Sequence, residues 1–191
     1  MTPLRRISVP AGTVYQLKVT VEGSDPPIWR RLLVPADVSL VTLHRIVQGA
    51  MGWNDSHLHQ FILGDRRFSD PRIDESGDLK FEDERKSFLS EVVGVGETLQ
   101  YQYDFGHGWV HEIVVEESQP PDRRLRHPAC IGGARACPPD DVGGMAGYEE
   151  LLVALAHPDH PQHDESHSRI GREFDPERFD VNAANQVLRA M

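Results

Sequence analysis

The sequence predicts an α+β domain: a mixed, largely antiparallel β-sheet with one helix packed across it and a C-terminal helical extension. Three observations carry this. Residues 14–22 and 99–117 alternate apolar and polar side chains with period two, as half-buried strands do. Residues 39–51 instead place Leu40, Leu43, Ile46, Val47, Ala50 and Met51 at helical spacing. Beyond residue 144 the apolar positions are again helical and no strand pattern returns.

Length and composition agree. A chain of 191 residues, 39% hydrophobic and 26% charged, suits one domain spanning 1–191, with a core at about 14–117 and a loop and helical part at 118–191. Two cysteines are too few for a disulfide framework. The first residues lead into no apolar run, so no signal peptide is expected, and no stretch approaches membrane-spanning length. A reducing cytoplasm is the expected setting. A formal charge of −10 argues against a broad nucleic-acid footprint, because phosphate is repelled by an acidic surface.

In chain order, residues 1–12 form a loose leader. The first strand turns Tyr15, Leu17, Val19 and Val21 to one face. The turn from Gly23 to Pro27 is followed by a second strand at 28–34, which sends Arg30 and Arg31 to opposite faces, one expected to be solvated and one ion-paired. Ser39 is the expected N-cap of the helix and Gly52 ends it. A loop rich in Asn, Asp and His then feeds a third strand, with His57, His59, Phe61 and Leu63 sharing a face. Residues 65–68 form a short strand. Asp74, Glu75, Asp78, Glu82, Asp83 and Glu84 read as solvated surface, since their spacing matches no calcium loop.

Residues 99–117 are the expected hairpin, with Phe105-Gly-His-Gly108 as a four-residue turn. Symmetric closure sets Asp104 opposite Trp109 and Gln102 opposite His111, all four on one face. Gly and Pro in 128–144 argue against a regular element there. Tyr148, Leu151, Leu152 and Leu155 define a helix ending near Pro158. His157, His160, His163 and His167 then lie in a Pro- and Asp-rich loop, and a last helix capped by Asp180 turns Val181, Ala184, Val187 and Leu188 inward.

The ordered set Tyr15-Gln-Leu-Lys-Val, Pro27-Ile-Trp-Arg-Arg, Met51-Gly-Trp-Asn-Asp-Ser-His-Leu-His, Tyr103-Asp-Phe-Gly-His-Gly-Trp-Val-His, Cys130-Ile-Gly-Gly, Ala136-Cys-Pro-Pro-Asp-Asp-Val-Gly-Gly and Phe174-Asp-Pro-Glu-Arg-Phe-Asp resembles the plasmid pRiA4b ORF-3-like family. The resemblance runs from about Val14 to Leu188. It implies the α+β fold with a mixed sheet and an association with plasmids and insertion elements, and it brings no established reaction. Some members carry a label linking them to a transposon resolvase; these residues give no support for recombinase chemistry. The family usually has Asp where this chain has His107, which adds a titratable donor at the hairpin tip.

Three functional readings compete. In the first, Gln102, Asp104, His107, Trp109 and His111, with His59 nearby and the 130–144 loop as rim, receive a small ligand or a protein partner. The same residues also suit a structural polar network. In the second, zinc is held by Cys130, Cys137 and His111, completed by His57, His59 or Asp104; the C-x6-C spacing departs from that of zinc knuckles. In the third, Cys130 or Cys137 is a nucleophile with His111 as base, or Asp104 and His111 form a hydrolytic pair. No nucleophile elbow, phosphate loop or dinucleotide fingerprint occurs. Arg123, Arg124 and Arg126 offer a phosphate clamp, or a solvated connector.

Overall fold

A computed structural model describes residues 9–74, 80–122, 125–171 and 173–191. Among them, eight strands form one sheet: β1 (Val14–Val21), β2 (Trp29–Pro35), β3 (His59–Leu63), β4 (Arg66–Ser69), β5 (Glu82–Asp83), β6 (Thr98–Tyr103), β7 (Trp109–Gln119) and β8 (Ala129–Ala134). Their spatial order is β5-β4-β3-β6-β7-β1-β2-β8. All neighbours are antiparallel except β4 and β5, so the sheet is mixed and largely antiparallel.

The helices are α1 (Leu40–Met51), the single turn α2 (Leu89–Val92), α3 (Gly144–Ala156), α4 (His163–Ile170) and α5 (Val181–Arg189). Helix α1 packs across one sheet face. Leu40, Leu43, Ile46 and Val47 meet Leu17, Leu32, Phe61 and Tyr101 in one core, which holds most of the apolar surface removed from water. The opposite face is polar: Arg31 makes a bidentate pair with Glu116, and Gln16 donates to the same carboxylate. One buried and one solvated face is what period-two alternation in β1 demands. Gly52 closes α1 in the left-handed conformation. Ser39 precedes α1, but its hydroxyl makes no capping bond to the backbone and meets that of Thr42 instead.

Several expectations change. Arg30 is not solvated. It is buried against the ring of Phe179, with its guanidinium donating to the carbonyls of Trp29, Ala50 and Ala134. The Gly-rich stretch after Pro128 is not irregular throughout, because Ala129–Ala134 pairs with β2 as edge strand β8. Its glycines admit a neighbour: a Cβ at Gly133 would lie 2.5 Å from the Phe179 ring. The sheet therefore continues past residue 117 into the C-terminal part. His163 and His167 belong to α4 rather than a loop, and Val187 remains exposed. Arg123, Arg124, Glu75, Asp78 and most of the leader lie outside the described residues.

Candidate functional site

The hairpin of β6 and β7 closes differently from the symmetric expectation. Asp104 adopts φ +56°, and its carbonyl accepts from the Gly108 N–H at 2.6 Å, so five residues span the tip. That extra residue shifts the register: Tyr103 faces Trp109, Tyr101 faces His111, and Gln102 faces Val110. A one-residue change sends a side chain to the other face. Gln102 accordingly lies on the polar face, bonded to Gln60, away from Trp109 and His111.

The remaining hairpin candidates divide. Asp104 Oδ1 accepts from the backbone N–H groups of Gly106 and His107, and Oδ2 lies 2.7 Å from His107 Nδ1. Burial works against its charge, yet these bonds hold the carboxyl below its ordinary range. It organises the turn. Trp109 is fully buried. His111 is also fully buried, beside Tyr101 and Trp53, and neither ring nitrogen has a hydrogen bond of good geometry. Burial pulls its pKa down to about 4, opposed in part by the backbone of Tyr101 and Trp109.

The cysteines do not join it as a metal centre. Cys130 sits in β8 with Sγ 3.3 Å from the Gly132 carbonyl, and burial raises its thiol pKa, the reverse of an activated nucleophile. Cys137 lines a separate cavity of about 230 Å³ with Trp53, Pro138 and Phe174. Cys130, Cys137 and His111 form no set of mutually close ligand atoms among the described residues. Their loop does reach the hairpin tip by another residue: Gly144 packs where a Cβ would collide with the His107 carbonyl, while Asp141 Oδ1 lies 3.1 Å from Nε2 of His57, itself 3.8 Å from Asp104 Oδ2.

A different group converges. His44 of α1 and His59 of β3 stack with centroids 3.4 Å apart and planes within 2°. His44 Nε2 is 2.7 Å from Asp55 Oδ1, and His59 Nε2 is 2.8 Å from Glu84 Oε2. The Tyr101 hydroxyl stands 2.8 Å from His44 Nδ1 and accepts from Gln48 Nε2. Gln48 Oε1 in turn accepts the Asp55 N–H, so one glutamine braces both the tyrosine and the loop. Asp55 has φ +56°, a conformation Asp tolerates better than most residues. Burial, reinforced by the neighbouring His59 ring, lowers the His44 pKa to about 4 against the pull of Asp55. His44, Asp55, His59 and Glu84 line a cleft of about 470 Å³ with His57, Leu58, Arg45 and Arg72 at its walls.

Of the predicted residues, this cleft contains His59 and, at its wall, His57. His44, Asp55 and Glu84 were not anticipated. His44 carried a signal: four residues from Leu40 and three from Val47, it shares their buried stripe. Glu84 sits in a run of acids whose pattern predicts solvated surface, yet it is buried. Asp55 lies in a loop, where periodicity says nothing.

Fold and cleft define an α+β domain with a one-sided mixed sheet and a His/carboxylate cleft beside its main helix. The chain belongs to the plasmid pRiA4b ORF-3-like protein family, which it matches over residues 13–183. It is 41% identical over 155 residues to the uncharacterized protein y4hQ of Sinorhizobium fredii, covering 81% of this chain and 79% of that protein. It also resembles the crystal structure of MM3350, a protein of unknown function from Methanosarcina mazei Go1. The TM-score there is 0.82 at 33% identity, covering 91% of this chain and 98% of that one.

Proposed function

We propose that this protein is a non-enzymatic binding module whose small ligand seats in the cleft beside α1, over His44 and His59. The observation that supports it is the stacked imidazole pair, each ring with a carboxylate on its Nε2, lining a cavity of about 470 Å³. Recessed polar groups braced by a second layer, in a cleft of that size, suit recognition of a small polar ligand. A protein partner would ordinarily meet a broader surface. The buried, high-pKa thiol of Cys130 and the enclosed His111 give no support to nucleophilic catalysis.

The test is imidazole-detected NMR of the full chain against a panel of small anions, metal ions and polar fragments. Shifts confined to the His44 and His59 rings, with His111 unmoved, are expected. A panel that leaves both rings unmoved, or moves only the C-terminal histidines, overturns the reading.

A further inference from the structure

Resting on the reading of this cleft as the ligand seat, we propose that its ligand is a divalent transition-metal ion, held by one ring nitrogen each of His44 and His59 and a carboxylate oxygen of Asp55. One ligand atom from each of the three lies within 4.8 Å of the others. They come from a helix, a loop and a strand, so folding assembles the set. Glu84 adds a second carboxylate at 2.8 Å from His59 Nε2.

The donor chemistry selects the ion. Two imidazoles with carboxylates suit zinc, cobalt or nickel, whereas calcium and magnesium favour all-oxygen shells. With both rings neutral and both acids ionised the cluster carries two formal negative charges, which a dication balances. Such an ion would take one nitrogen of each ring, and each neutral ring would keep its single proton on the other nitrogen.

The second layer is that of a ligating histidine. Bound through Nε2, His44 would donate its Nδ1–H to the Tyr101 oxygen, 2.8 Å away and held by Gln48. Gln48 also fixes the backbone of Asp55 at 2.9 Å, and Ser69 Oγ donates to the His59 carbonyl at 2.6 Å. The open cleft supplies an entry path. The competing arrangement, two structural His–carboxylate pairs with no ion, is what the experiment must exclude.

The experiment is calorimetric titration of tag-free, metal-stripped full-length protein with Zn²⁺, alongside Co²⁺ absorption spectra. One tight site per chain is expected, with no thiolate charge-transfer band. Asp55→Asn, which keeps the backbone tolerance of the loop, and His59→Gln should each weaken binding by more than the roughly 10–100-fold typical of an outer-layer change. Tyr101→Phe should fall inside that band, while the C130S/C137S double variant binds as the parent does. Folded parent protein without a stoichiometric site, binding indifferent to both D55N and H59Q, or a thiolate band, overturns the proposal. An organic ligand that shifts His44 and His59 when Zn²⁺ and Co²⁺ do not removes the ion and leaves the cleft reading standing. Silence from every ligand removes both.

Discussion

Tyr101 separates two environments for histidine on the same sheet face. On one side its hydroxyl meets His44, whose ring stacks on His59 and whose Nε2 faces Asp55 at the floor of a cleft. On the other side its ring lies 5.4 Å from that of His111, sealed among aromatics without a good hydrogen bond. The residue type is the same, and so is the burial of His44 and His111. What differs is the company: carboxylates, an amide brace and a solvent path in one case, apolar rings in the other. An imidazole marks a site only when its nitrogens have somewhere to direct charge.

The strongest way to break this contrast is to remove one member of a pair. His59→Leu leaves Glu84 buried and uncompensated, and should destabilise the fold by about 3–5 kcal/mol, measured by urea unfolding at pH 7. A loss below about 1 kcal/mol would place Glu84 in water rather than against His59. His111→Leu, close in volume, should stay within about 1.5 kcal/mol of the parent at pH 7.

Acid sharpens the second case. His111 titrates at about 4 folded and near 6.5 unfolded, so between those values the unfolded chain holds the extra proton and stability falls as pH drops. By pH 4 this group's share is on the order of 3 kcal/mol. His111→Leu should therefore lose less stability than the parent between pH 7 and pH 4. Equal acid losses in the two proteins would show that His111 charges without penalty.

Smaller effects probe the boundary between the environments. Tyr101→Phe should cost about 1–2 kcal/mol, because His44 and Gln48 lose a shared partner within the core. Gln102→Leu, on the far face, should change stability by no more than about 0.5 kcal/mol and leave the His44 and His59 resonances in place. Movement of those resonances in the Gln102 variant would contradict the hairpin register.

Much of the fold was legible because its signals are local. Tyr15, Leu17, Val19 and Val21 had to share a face once the strand formed, and Leu40 through Met51 had to form one stripe once the helix did. The last helix likewise begins at Asp180, whose carboxylate accepts from the N–H groups of Asn182 and Ala183. Strand β8 was hidden because its pairing is stabilised from outside, with Gly132 against Trp29 and Gly133 beneath Phe179, and glycine by itself signals only freedom. The hairpin register departs from symmetric closure for a geometric reason. The left-handed turn at Asp104 added one residue to the tip and carried Gln102 away from His111.

By itself the sequence determined the fold class, the order of the main strands and helices, and the family, because alternation, helical period and ordered motifs are carried by neighbouring residues. Only the tertiary structure decided which histidines meet carboxylates. His44, Asp55, His59 and Glu84 span 40 positions of chain and meet only after α1 docks, β3 pairs with β6, and the segment after β5 folds back beneath them. Convergence of that kind depends on register and loop closure, which no local pattern encodes.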